Sequence, residues 1–298
     1  MIVVTGASGR TGRRVSEALL ARSKKVRVIG RDTGRLAPLA DLGAEAAVGS
    51  VEDVPRLSSF FEGAEAVYLV LPEDLSQPDL RAHQERISNC YAAAIANAHV
   101  ECVVNLSSIG GQHPKGTGPI VGLHNQEQKL NRIEGLNVLH LRAAYFMENL
   151  FASVKPLVES GTLPGGMRGD YAIPWIATKD IGTYAATRLE ACDFAGSSTQ
   201  ELHGERDISM NEAASIIGKA IGNPDVAYVQ VPSPVLGANL LQMGLPAKTA
   251  DLILEMWEGA NAGLIRPQEP RSARNTTPTS LESFVNEVFA PVILASYQ

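Results

Sequence analysis

Ile2-Val3-Val4-Thr5-Gly6-Ala7-Ser8-Gly9-Arg10-Thr11-Gly12-Arg13-Arg14-Val15 reads as a strand, a glycine-rich turn and the opening of a helix. Gly6 ends the strand in a tight turn, where a side chain would obstruct the change of direction. Gly9 lets the main chain approach a pyrophosphate, whose charge meets the unpaired N–H groups and positive dipole end of the following helix. Gly12, one turn further on, lets that helix pack closely on the sheet. Val15, Ala18 and Leu19 supply an apolar face, and a second strand follows. A strand before, a helix after and a strand next make this a nucleotide-binding turn, with Gly6, Ser8, Gly9, Arg10, Thr11 and Gly12 as its candidate contacts.

The second strand, Lys25 to Ile29, runs out into Gly30-Arg31-Asp32. The residue just past this strand faces the adenosine ribose, so its chemistry selects the cofactor. Arg31 can clamp a 2′-phosphate with its planar guanidinium and stack on adenine, which favours NADP(H). Asp32 follows at once, and a small backbone adjustment would bring its carboxylate to the ribose instead, so NAD(H) remains the less favoured alternative. Beyond it come a short helix over Leu36 to Leu42, a strand over Ala44 to Val48 and a helix over Val51 to Phe61. Ala66 to Leu71 is continuously apolar, as in a parallel strand covered on both faces, and Pro72 stops it. Leu71 and Pro72 are candidate cofactor contacts at its carboxyl end. A long helix over Pro78 to Ala98 leads to a fifth strand, Val100 to Leu106. Its end, Ser107-Ser108-Ile109-Gly110-Gly111, puts two hydroxyls where a nicotinamide ring and a substrate would meet, although serines serve equally as turn formers there. Strands alternating with helices specify a doubly wound parallel sheet of Rossmann type.

At 298 residues and a net charge of −6, the chain is long enough for a large core without metals, and its basic residues are spread rather than massed. A nucleic-acid partner is therefore not expected, and the local cluster Arg10, Arg13 and Arg14 is assigned to a phosphate. Cys90, Cys102 and Cys192 form no C-x-x-C pair and read as small buried hydrophobes in a reducing compartment; no metal site is expected. The first residue already begins a strand, and the longest apolar runs, 66–71 and 288–295, are too short to span a bilayer. A cytoplasmic address without membrane partners is the expectation.

Several stretches together resemble the atypical short-chain dehydrogenase/reductases, specifically the NmrA-like and quinone-reductase-like group. They are Thr5-Gly6-Ala7-Ser8-Gly9-Arg10-Thr11-Gly12, Gly30-Arg31-Asp32, Leu106-Ser107-Ser108, His124-x-x-Glu127-x-x-Leu130, Leu141-Arg142-Ala143-Ala144-Tyr145-Phe146-Met147-Glu148-Asn149, and Ile173-Pro174-Trp175-Ile176-Ala177-Thr178-Lys179-Asp180-Ile181-Gly182. With the pattern around Glu201 to Gly222 they cover roughly residues 1 to 230. One departure bears on mechanism. The Tyr and Lys that ordinary members place four residues apart on one helix, so that the ammonium lowers the phenol's pKa, have no counterpart anywhere in this chain. His124 and Gln128 stand in their places. His124 is the candidate proton donor, and Glu127 is expected to hold His124 or a backbone group.

The expected organisation is a cofactor domain over 1–150 and a smaller α/β substrate or partner domain over 151–298, with 171–190 returning to the first. Tyr145, Phe146, Met147 and Asn149 follow the strand Asn137 to Leu141 at the junction. They suit the wall of a flat substrate pocket and interdomain core equally. Further on, Phe151 to Glu159 reads as helix, Ser160 to Gly169 as loop, Tyr171 to Ile176 as the start of a strand, and Asp180 as the cap of a helix over Ile181 to Leu189. Met210 to Ile221 is an amphipathic helix. Pro232 to Gly263 has helical spacing, with Met243, Met256 and Trp257 suited to a lid or a partner contact, and a loop over 266–280 precedes a last helix. Two functions remain in view. One is an NADP(H)-dependent reductase passing hydride to a quinone or similar flat electrophile. The other is a non-catalytic NADP(H) redox sensor acting on a protein partner. The oligomeric state is left open.

Overall fold

The computed structural model describes residues 1–296. Seven parallel strands form the central sheet: β1 (Ile2–Val4), β2 (Val26–Gly30), β3 (Glu45–Val48), β4 (Ala66–Leu69), β5 (Cys102–Ser108), β6 (Asn137–Ala143) and β10 (Ser197–Leu202), in the order β10-β6-β5-β4-β1-β2-β3. The order reverses at β1, which pairs with β2 through Ile2↔Val26 and with β4 through Ile2↔Ala66. A crevice therefore opens at the carboxyl end of β1, where the glycine turn begins. Helices α1 (Arg10–Ala21) and α7 (Thr178–Ala191) cover one face, and α3 (Val54–Phe61), α4 (Leu80–Asn97) and α5 (Ile120–Leu130) the other; α2 (Thr33–Ala40) links β2 to β3. Val4, Tyr68, Val104 and Leu141 point into the first core, while Val3, Val67, Leu69 and Val103 meet Phe61, Ile87 and Tyr91 in the second. Successive strand residues thus feed opposite cores, which is why these strands read as unbroken apolar runs.

A third core, around Trp175, Leu157, Ile217 and Phe289, joins the remaining elements. They are β7 (Tyr145–Phe146), a 3-10 stretch Met147–Ser153, α6 (Val154–Ser160), β8 (Thr162–Gly165), β9 (Ile173–Ile176), β11 (Asp207–Ile208), α8 (Met210–Ile221), β12 (Ala227–Gln230), and α11 (Leu281–Phe284) with α12 (Ala290–Ala295). Helices α9 (Ser233–Gln242) and α10 (Ala247–Asn261) pack on each other. The segment read as a loop over Ser160 to Gly169 contains β8, which pairs in parallel with β12. Strand β10 carries no apolar signature in Ser197-Ser198-Thr199-Gln200, because it lies at the sheet edge with its first residues toward solvent. No helix among the described residues is long and apolar enough to cross a membrane.

Two sequence expectations are corrected here. Cys102 and Cys192 are joined in a disulfide, with Cα atoms 6.2 Å apart, so they are not separate buried thiols; only Cys90 is free. The pairing tethers the start of β5 to the end of α7, and it removes the cysteine count as an argument for a reducing compartment. Asp180 does not cap a helix. It lies inside α7, and its carboxylate accepts from the Thr279 N–H at 3.0 Å and hydroxyl at 2.7 Å. The first turn of α7 is capped instead by Glu148, which accepts from the Thr178 N–H at 3.0 Å and hydroxyl at 2.6 Å.

Candidate functional site

The glycine turn is built by close approach. Gly6 has φ +58°, and a Cβ there would stand 2.4 Å from Val70 Cγ1. A Cβ on Gly12 would meet the Gly6 carbonyl oxygen at 2.4 Å, so α1 rests directly on the turn. The Thr5 hydroxyl donates to the Tyr68 carbonyl at 3.0 Å and accepts from the Val70 N–H at 3.1 Å, which ties the ends of β1 and β4 across the crevice. Gly9 stands at the N-cap of α1, which has no side-chain cap and no acid in its first turn. Its positive end is open beside half-buried Ser8 and exposed Gly9, while Thr11 is buried under it. Of the three arginines assigned to a phosphate, Arg13 and Arg14 both pair with Glu17, at 2.8 and 2.9 Å. Burial alone would raise the Glu17 carboxyl, but these hydrogen bonds hold it below its ordinary value. Arg10 is exposed and donates to Asn149 Oδ1 at 3.1 Å.

At the adenosine end the Asp32 carboxylate accepts from the Arg35 N–H at 2.8 Å and caps α2. It is thereby turned toward its own helix rather than toward a ribose. Arg31 is exposed, and the Arg35 guanidinium reaches back to the Ser8 carbonyl at 3.3 Å. Arg35 is a site residue absent from the sequence expectations, and its place in the first turn of α2, just after β2, is the signal that marks it.

At the opposite end, Leu71 is buried and Pro72 half-buried at the exit of β4. The buried Ser107 hydroxyl donates to Glu127 Oε1 at 2.6 Å, and the Ser108 hydroxyl to the Ile109 carbonyl at 3.0 Å. Glu127 also receives Arg142 Nε at 3.0 Å and Nη2 at 2.6 Å. It therefore holds Ser107 and β6, not His124 as expected. His124 is the fifth residue of α5; its Nδ1 lies 2.9 Å from the Gly111 carbonyl, which makes Nδ1 the donor. The ring anchors the turn after β5 and lines a cavity of about 360 Å³ with Glu85, Asn125, Gln128, Lys129 and Arg132.

The junction stretch divides its tasks. Met147 is buried in the third core and Glu148 caps α7. Phe146 packs against the first core, and Asn149 takes the bond from Arg10. Tyr145 lies edge-on to Trp175 at 4.8 Å and tilted to Trp257 at 6.4 Å between centroids. Burial pushes its phenol up to about 12, so it stays protonated near neutral pH. Helix α10 roofs the strand ends. Thr249 donates to the Gln77 carbonyl at 3.1 Å, and Lys248 pairs with Asp79 at 2.7 Å. Glu255 accepts the Gly116 N–H at 2.8 Å, and Asn261 donates to the Gly166 carbonyl at 2.9 Å. The loops that follow β4 and β5 are thus both covered by α10, and Trp257 closes over Gly166. The sequence placed Trp257 on a lid or partner surface; the structure places it against Tyr145.

The NmrA-like family model matches residues 1–284. The chain is 27% identical over 300 residues to the (4-alkanoyl-5-oxo-2,5-dihydrofuran-3-yl)methyl phosphate reductase of Streptomyces griseus, covering 98% of this chain and 100% of that one. It is 28% identical over 268 residues to quinone oxidoreductase 2 of Escherichia coli, covering 88% and 89%. The crystal structure of an NADPH-dependent quinone oxidoreductase from Escherichia coli complexed with NADPH superposes with a TM-score of 0.81 at 24% identity, over 97% of this chain and 100% of that chain. The glycine turn at the switch point and a match over nearly the whole length lead to one conclusion: the chain belongs to the NmrA-like family.

Proposed function

We propose that this protein is an NADP(H)-dependent reductase that passes hydride to a quinone or another flat electrophile. The observation that carries the cofactor choice is the commitment of Asp32 to the α2 backbone, which leaves Arg31 and Arg35 as the charged groups at the adenosine end. An uncapped helix start takes the pyrophosphate, with Arg10 beside it. NADPH supplies the hydride. The chain's own part is to hold two rings in register, which for hydride transfer is most of the work. Leu71 and Pro72 give the cofactor a flat apolar seat, and Tyr145 and Trp257 give the acceptor an aromatic wall under α10.

No protein acid is needed in this scheme. The Nδ1–H of His124 is committed to the Gly111 carbonyl, and the hydroquinone anion left by hydride transfer takes its proton from solvent. The reductases among its relatives support this reading over that of a sensor acting on a protein partner. The test is NADPH oxidation followed by absorbance, with a panel of benzo- and naphthoquinones and with NADH in parallel. Turnover with NADPH exceeding that with NADH at least tenfold is expected. Tight NADPH binding with no oxidation across the panel overturns the assignment.

A further inference from the structure

We propose that the Ser107–Ser108 strand end reads a hydrogen-bond donor, the carboxamide N–H of the nicotinamide, and that Glu127 is the positioning residue that gives it this polarity. This rests on the NADP(H) reading above. A serine hydroxyl has one hydrogen and two lone pairs. The Ser107 hydrogen is directed at Glu127 Oε1, 2.6 Å away, and a carboxylate can only accept. Glu127 is held in this role by two bonds from Arg142, and at 1% exposure it meets no competing water. The Ser108 hydrogen is directed at the Ile109 carbonyl. Both serines can therefore offer a ligand only lone pairs. A quinone oxygen, itself an acceptor, finds no donor at this strand end, whereas an amide N–H finds its partner.

Position agrees with polarity. In the order β5-β4-β1-β2 the glycine turn leaves β1, and β5 lies two strands away on the side opposite β2, about 10 Å at ordinary strand spacing. A dinucleotide with its adenosine over β2 and its pyrophosphate at α1 carries its nicotinamide toward β4 and β5. The turn that follows is shaped around the same network: a Cβ on Gly111 would lie 2.9 Å from Ser107 Oγ and 3.1 Å from Glu127 Oε1.

The test is a binding measurement. Calorimetry compares NADPH with its reduced 3-acetylpyridine analogue, in which a methyl ketone replaces the carboxamide and no N–H remains. The wild-type chain is expected to favour NADPH by about three- to tenfold, the range of one net hydrogen bond. Ser107→Ala is expected to bring the two affinities to near equality. Glu127→Ala, which removes the acceptor and frees the Ser107 hydrogen to point outward, is expected to do the same. A merely structural role would weaken both ligands equally. Wild-type protein without discrimination, or a folded Ser107→Ala that keeps it in full, overturns the proposal. Discrimination without turnover on any quinone defeats the reductase reading alone, and absence of NADPH binding defeats both.

Discussion

Three carboxylates at the strand ends have duties that only their partners reveal. Asp32 caps α2, Glu127 joins β5 to β6, and Glu148 caps α7. A sequence shows that a carboxylate stands near a site, but its accepting direction depends on which N–H the fold brings within 3 Å. His140 extends the point to titration. It is buried between Asn105 Nδ2 at 3.1 Å and Asn131 Oδ1 at 2.8 Å, and burial pushes its pKa down to about 4. The folded value lies below the ordinary 6.5, so the unfolded chain binds more protons between these limits. Stability is therefore unaffected by this group above about pH 6.5 and falls as pH drops from there toward 4, by on the order of 3 kcal/mol. Thermal melts of wild type and His140→Asn between pH 7.5 and 4.5 check this. The wild type is expected to lose Tm more steeply than the variant, and parallel pH profiles would count against the assignment.

Among the elements, those whose apolar pattern faces a core were legible. β1, β2, β4, β5 and α8 stand within a residue or two of their expected places, because each alternation or 3.6-residue repeat is a local consequence of burial. Edge and bridging elements were not. β10 is polar because one side faces solvent, and β8 needs β12, more than sixty residues on, to be a strand at all. The start of α7 carries the same lesson, since Asp180 sits where a local rule would put a cap and Glu148 does the capping from thirty residues away. Glu148→Ala is expected to cost about 1 kcal/mol, a Tm lower by roughly 2–4 °C. An unchanged melt would show that water caps the helix equally well.

Across the whole molecule, the disulfide is the longest covalent link. Cys102 and Cys192 are separated by 90 residues, and the closed span includes α5, β6 and the whole of α7. Closing such a loop restricts the unfolded chain by about 4–5 kcal/mol in the chain-entropy account. Because α7 packs on α1, with Gly182 against the Arg14 backbone, the link also braces the helix that opens the cofactor site. Cys102→Ser, or a strong dithiol reductant acting on the wild type, is expected to lower the Tm by roughly 10 °C. Three titratable thiols in the unreduced, denatured protein would show that the link does not form.

By itself the sequence determined the parallel doubly wound sheet, the glycine turn at its switch point and the family, because burial periodicity and close backbone approach are written in neighbouring residues. It also shows no Tyr-x-x-x-Lys spacing. The tertiary structure alone decided which way Asp32, Glu127 and Glu148 accept, that Cys102 meets Cys192, and that α10 roofs the strand ends with Trp257 against Tyr145. Each of these depends on groups that are distant in the chain or on a choice among several donors within reach, and only the assembled fold makes that choice.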